Sequence, residues 1–292
     1  MKKLCQIITA LFVSLMVTMV ATTTFAAKHQ TSDTTPTIFF HGYSSSSKAE
    51  DSMAQSLIKS GHAKTDITAE VGADGKITLH DDRKKDKSAA PDIVEVNFDN
   101  NRDSNYEDQA TWVFNVITTL QKDYKINKMN IVAHSMGNMA VMYYILHHGQ
   151  DKKLPQMQKF FAIAGTYNGA MGWNEPDNYT VDAKTGQPSE ENDRFKVLLP
   201  LRKTFPKQIE VMNVYGDTTG KGDDTMVTNK SCQTMRYLLN GRAKSYKEYK
   251  VTGDLARHEK LHENPEINKA LNKFLFPAQK HHHKTVHHGL FG

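Results

Sequence analysis

The stretch Ile131-Val132-Ala133-His134-Ser135-Met136-Gly137-Asn138 joins two different periodicities at one serine. Asn130 to Ala133 is a short apolar run of buried-strand type, whereas Met136 to His148 reads as a helix that Gly149 can end. A strand running into Ser135 with a helix directly after it is the context of a nucleophile elbow. There a sharp turn lifts the serine oxygen above the sheet. The turn presses the positions two before and two after the serine against neighbouring backbone, so small residues are required; they are Ala133 and Gly137. The competing reading is an ordinary helix start capped by Ser135.

Outward from this stretch, apolar runs alternate with helical periods. Thr37 to Phe40 reads as a strand stopped by His41-Gly42, and Ala49, Met53, Leu57 and Ile58 recur at helical spacing before Gly61. Ile67 to Val71 and Ile77 to Leu79 flank Gly72-Ala73-Asp74-Gly75 as a hairpin. Ile93 to Phe98 is a further strand, and Trp112, Val113, Val116, Ile117, Leu120 and Tyr124 form one apolar helical stripe. Strands are expected at Phe160 to Ala164, Ile209 to Tyr215 and Tyr246 to Val251. Helices are expected at Phe195 to Thr204, where Pro200 sets a limit, at Ser231 to Leu239 and at Ile267 to Phe276. The alternation predicts an α/β fold, a mostly parallel sheet with helices on both faces.

A nucleophilic serine needs partners, and the chain offers them in a fixed order. After the early strand, His41-Gly42-Tyr43 can present the Tyr43 amide to an oxyanion, with Met136 after the serine giving a second amide. A base is expected between the last strand and last helix. His258 is preferred, because the next turn can then pack Leu261 and cap the final helix near Asn264, with His262 as the alternative. The orienting acid should follow the strand ending at Tyr215-Gly216. Asp224 is preferred because Val227, three residues on, can anchor its loop; Asp223 is second, and Asp217 reads as a turn-former. The chemistry implied is an acyl-enzyme on Ser135, with His258 as base and Asp224 fixing its tautomer.

Taken together, His41-Gly42-Tyr43, Ala133-His134-Ser135-Met136-Gly137 and the His258 to Asn264 loop resemble the α/β-hydrolase superfamily. The chain is most similar to secreted or cell-surface hydrolases of Gram-positive bacteria, which Asp99-Asn100-Asn101 and Tyr167-Asn168-Gly169 also fit. The resemblance spans residues 36–277 and implies the α/β-hydrolase fold, the order Ser, Asp, His, and esterase or lipase-like activity on a small-molecule or lipid ester. An amidase or peptidase would use the same residues. A binding or adhesion protein on this fold is the alternative from another class. The polar stretch from Thr166 to Asp193 reads either as a cap that contributes an apolar acyl pocket through Tyr167 and Trp173, or as a solvated surface loop.

The termini and composition bound the rest. Lys2-Lys3, the uncharged run Ile7 to Val20 and Thr24-Phe25-Ala26-Ala27 read as a signal peptide over residues 1–26, with an uncleaved anchor as runner-up. A polar leader (27–35), the hydrolase domain (36–277) and a His-rich tail (278–292) follow, and export implies a secreted or cell-surface protein. Loss of Lys2 and Lys3 takes the formal charge from +5 to +3 and leaves Cys232 as the remaining cysteine of two, so no internal disulfide is expected. Of 14 histidines, five lie in the tail. No His-Glu-x-x-His or Cys-x-x-Cys spacing occurs, so neither a catalytic metal nor another cofactor is expected. The charged residues are intermixed (37 Lys and Arg, 32 Asp and Glu), which argues against a nucleic-acid partner.

Overall fold

The computed structural model describes residues 34–84 and 87–277. The expected signal peptide, most of the leader, and the His-rich tail lie outside the described residues. Strands form where the apolar runs stand: β1 (Thr37–Phe40), β2 (Asp66–Val71), β3 (Ile77–His80), β4 (Ile93–Phe98), β5 (Lys128–His134), β6 (Gln156–Ile163), β7 (Glu210–Asp217) and β8 (Ser245–Thr252). They hydrogen-bond in the order β3-β2-β4-β1-β5-β6-β7-β8. Every neighbouring pair is parallel except β2 and β3, the hairpin around Gly72 to Gly75. This is the α/β-hydrolase architecture.

Alternation along each strand sends side chains to opposite faces. Ile38, Phe40, Ile131, Ala133, Phe160 and Ala162 enter one core, packed under α2 (Tyr106–Tyr124) and α3 (Met136–His148). Phe39, Val132, Phe161 and Ile163 enter the other, covered by α1 (Asp51–Lys59) and by a final helix at residues 265–275. The central strands are therefore apolar on both faces, as a doubly covered parallel sheet requires. Residues 136–145 of α3 are all buried, so this helix is apolar around its whole girth rather than amphipathic.

Two expected helices are each broken in two. Phe195 to Thr204 divides into α4 (Asp193–Leu198) and α5 (Leu201–Thr204), because Pro200 cannot donate to the preceding turn. Ser231 to Leu239 divides into α6 (Asn229–Gln233) and α7 (Met235–Leu239) at Thr234, whose hydroxyl bonds the Ser231 carbonyl. The last helix, α8 (Pro265–Leu275), starts at an Asn264 cap that accepts from the Glu266 amide.

The order of strands positions the site. The chain leaves β1, builds β2 to β4 on one side of it, then crosses to β5 on the other, so the direction of winding reverses between β1 and β5. Ligands bind at such a switch point, beyond the carboxyl ends of the strands. Phe40 is in register with Ala133, which sets the loop after β1 beside the turn after β5.

Candidate active site

Ser135 stands between β5 and α3 with φ 53° and ψ −124°, a left-handed backbone that costs a non-glycine residue roughly 1–3 kcal/mol and must be held by its surroundings. The Ser135 amide donates to the Ile163 carbonyl at 2.8 Å. Asn138, fully buried, donates its side-chain amide to the carbonyls of Ser135 (3.1 Å) and Ile163 (2.8 Å). Asn138 thus clamps the turn to β6, a role that periodicity does not reveal; its one signal is an Asn inside an apolar helix. The neighbouring backbone leaves no room at the second small position. A Cβ on Gly137 would lie 2.6 Å from the His41 carbonyl oxygen and 2.7 Å from that of Phe40.

His258 Nε2 lies 2.8 Å from Ser135 Oγ, and His258 Nδ1 lies 2.8 Å from Asp224 Oδ2. A carboxylate can only accept, so Nδ1 carries the proton in the neutral ring and Nε2 is left as the acceptor for the serine hydroxyl. Asp224 is 1% exposed. Its Oδ1 accepts from the amides of Met226 (3.0 Å) and Val227 (2.7 Å), and its carbonyl accepts from the His258 amide at 2.8 Å. Val227 is buried and closes this loop.

The other aspartates face elsewhere. Asp217 accepts from the Gly222 amide and pairs with Lys250, while Asp223 accepts from Thr225. His262 sits edge-on to His134, with ring centroids 5.1 Å apart, and makes no hydrogen bond to Ser135.

The flanking histidines are neutral supports. His134 is buried; burial, with His258 and His262 nearby, holds its pKa well below the ordinary value. Its Nε2 donates to the His258 carbonyl at 3.1 Å. His41 is also lowered by burial; its Nδ1 donates to the Gly42 carbonyl at 2.8 Å and its Nε2 accepts from the Phe98 amide at 3.1 Å. That pair of bonds fixes the turn preceding Tyr43. Beyond it, the Ser44 amide donates to the Asn101 carbonyl, and the Asn101 side chain donates to Ser45. Met136 opens α3, so its amide is among those the helix leaves without an internal partner.

A cavity of about 280 Å³ opens over Ser135, near the lower edge of the ~300–1,000 Å³ range of ligand pockets. Tyr43, Met136, Trp173 and Met226 contribute to its wall, and Trp173 meets the Tyr43 ring edge-to-face at 4.9 Å. The segment after β6 therefore lines the cavity through Thr166, Ala170, Met171, Trp173 and Asn174. Tyr167 corrects the expectation placed on it. Its side chain is 0% exposed, turned into the core beside α3, and is absent from the cavity wall. Tyr167 stands in a turn closed by the Gly169 amide on the Thr166 carbonyl at 3.1 Å, and that turn carries its ring into the core while Thr166 stays at the wall. Among the described residues, no group of three or more His, Cys, Asp or Glu side chains is arranged to hold a metal ion.

Residues 25–278 match the family described as "Alpha/beta hydrolase of unknown function (DUF915)", and the chain belongs to that family. Two solved structures share its fold. The lin2722 gene product of Listeria innocua is 24% identical, with a TM-score of 0.73 over 85% of this chain and 96% of its own. A protein of Lactobacillus plantarum WCFS1, provisionally described as a cell surface hydrolase, is 22% identical, with a TM-score of 0.66 over 84% and 93%. No curated protein matches the chain at a significant level.

Proposed function

We propose that this α/β hydrolase cleaves carboxylic esters through Ser135, His258 and Asp224. The observation that carries the reading is the hydrogen-bonded series from Ser135 Oγ through both ring nitrogens of His258 to a buried Asp224 carboxylate. His258 Nε2 takes the hydroxyl proton as Ser135 Oγ attacks the ester carbonyl. The negative charge moves to the carbonyl oxygen, where the Tyr43 and Met136 amides receive it. His258 then returns the proton to the leaving alkoxide, and the acyl group stays on Ser135. Water, deprotonated by the same nitrogen, attacks the acyl-enzyme, and His258 returns that proton to Ser135 Oγ as the acid is released. Asp224 stays ionised, fixing the ring tautomer and balancing the imidazolium.

The wall formed by Tyr43, Met136, Trp173 and Met226 suits an apolar acyl or alcohol group of a small-molecule or lipid ester. Export is part of the same reading. Lys2-Lys3 ahead of Ile7 to Val20 has the composition of a signal segment, and the Lactobacillus plantarum structure is described as a cell surface protein. Cleavage would leave the polar leader, the hydrolase domain and the His-rich tail, secreted or held at the envelope. A fluorophosphonate probe and short-chain 4-nitrophenyl esters test the chemistry. Wild type is expected to be labelled and to turn over ester, and Ser135→Ala to do neither. A folded wild-type protein that is neither labelled nor active overturns the reading in favour of a non-catalytic binding protein.

A further inference from the structure

The cavity over Ser135 carries a cation that no salt bridge among the described residues neutralises. Arg194, in α4, lines it together with Thr166, Asn174 and Tyr106. Its main chain is firmly held. The Asn192 side chain caps the helix by accepting from the Phe195 amide, Asn192 itself is tied to Asn168 and Asn174, and the Arg194 carbonyl accepts from the Tyr143 hydroxyl. Its guanidinium lies over the Tyr106 ring, 4.9 Å from the centroid, and makes one long contact of 3.5 Å to the Tyr106 hydroxyl. Among the described residues, its five N–H donors therefore share one weak hydrogen-bond partner.

Three acids, beside Arg194 or Tyr106 in the chain or on the cavity wall, are paired with other basic side chains. Asp193 pairs with Lys196, Glu107 with His147, and Glu259, the carboxylate on the cavity wall, with Arg257. Among the described residues no salt bridge includes Arg194. The cavity's other titratable side chains do not supply permanent positive charge. Burial lowers the pKa of both His134 and His262, and His258 is bound to Asp224. A second polar group lies beside it: Thr166 Oγ1 is buried at the wall, next to the Tyr106 hydroxyl. A half-buried guanidinium with free donors beside a hydroxyl is an arrangement that receives anionic oxygens, for which its planar fork is suited.

We propose that Arg194 is a specificity residue of this cavity, selecting esters that bear an anionic oxygen group, carboxylate or phosphate, alongside the apolar portion held by Tyr43, Trp173 and Met226. The inference rests on the hydrolase reading and names the substrate class for the same site. Tyr106 keeps the cation in place: its phenol is pushed up by burial, with Arg194 opposing, so the ring stays neutral under the guanidinium.

The test compares matched ester pairs on wild type, Arg194→Gln and Arg194→Lys. The acyl-side pair is mono-4-nitrophenyl adipate against 4-nitrophenyl hexanoate. The alcohol-side pair is the butyrate ester of 3-hydroxybenzoate against phenyl butyrate. Inorganic phosphate is titrated as an inhibitor of hexanoate turnover. The readout is the ratio of kcat/KM, anionic over neutral, which cancels differences in folded fraction. In wild type one ratio is expected to exceed that of Arg194→Gln by at least about tenfold, the factor given by ~1.4 kcal/mol of differential binding, with Arg194→Lys between them. The pair that responds identifies which arm carries the charge. Phosphate inhibition weakened at least as much in Arg194→Gln assigns a phosphoryl group. Turnover with ratios and inhibition unchanged by Arg194→Gln overturns this inference alone. A wild type that hydrolyses no ester and takes up no fluorophosphonate overturns the hydrolase reading, and this inference with it.

Discussion

His134 Nε2 donates to the carbonyl oxygen of His258 at 3.1 Å, so the residue next to Ser135 in the chain holds the backbone of the residue that reaches Ser135 Oγ. The rings also pack, with centroids 4.7 Å apart. Because His134 is buried and neutral, this is a fixed donor rather than a titrating one. His134→Ala is expected to lower kcat about 10–100-fold with a smaller change in KM, the cost of a small misplacement of a reacting group. His134→Gln, which keeps a donor, should recover part of the loss. Equal kcat in His134→Ala and wild type would remove the positioning role.

Asp224 is bound by two amides and by His258, whereas Asp223 and Asp217 serve their own turns. Asp224→Asn is expected to cut kcat by about 10³–10⁴-fold while preserving the fold, since an amide can present the wrong partner to His258 Nδ1. Asp223→Asn and His262→Ala should stay within about threefold of wild type on the ester assay. Steady-state kinetics on the four proteins decides the assignment, and inactivation by His262→Ala would move the base.

Trp173 is 54% exposed and stands edge-to-face on Tyr43, whose amide is offered as an oxyanion donor. Loss of this pair forfeits about 0.5–1.5 kcal/mol, so Trp173→Ala should reduce kcat/KM roughly 2–12-fold. With Trp112→Phe, Trp173 becomes the sole indole of a chain that has two, and its emission should respond to ligand entering the cavity. A spectrum unmoved by saturating ligand counts against its place on the wall.

Gly137 leaves a methyl group no space, since both nearest atoms are carbonyl oxygens of the neighbouring β1 turn. Gly137→Ala should destabilise the protein by about 1–3 kcal/mol, seen as a lower denaturant midpoint, and should displace Ser135 enough to abolish labelling. An unchanged midpoint would mean that the turn yields freely.

Glu95, next to β1 in the sheet, is pushed up to about 8 by burial and by Asp51, with Asp66 adding to it; Glu50, fully buried, is raised by burial and by Glu95. Raised carboxyl pKa values mean that the folded state binds more protons than the unfolded chain. Stability therefore falls as pH rises from about 4.5 through about 8, and the penalty is complete above that. Glu95→Gln should flatten this slope in thermal melts taken across the interval. A wild-type profile that rises with pH there, after allowance for the other acids, would contradict it.

Much of this was legible in the chain. The strand-turn-helix signature at Ser135 was readable because a covered parallel sheet demands uninterrupted apolar strands, and because an elbow demands small residues at Ala133 and Gly137. The interruption near Pro200 was readable from its missing N–H, whereas the break at Thr234 was not: helical periodicity runs through it, while a side chain competing for a carbonyl acts locally. Tyr167 looked like a pocket aromatic because hydrophobicity does not record which side of an irregular segment faces the cavity.

The order of residues by itself determined the α/β alternation, the elbow serine, and an order in which an acid and then a histidine follow that serine. Those features depend on local periodicity, sterics and chain direction. Which of three aspartates meets which histidine was decided only by tertiary structure. So was the turning of Tyr167 into the core, and the approach of Arg194 to the cavity from a helix nearly 60 residues beyond Ser135. Such contacts join distant parts of the chain through hydrogen bonds a few ångströms long, and side-chain direction at that scale is set by packing rather than by sequence spacing.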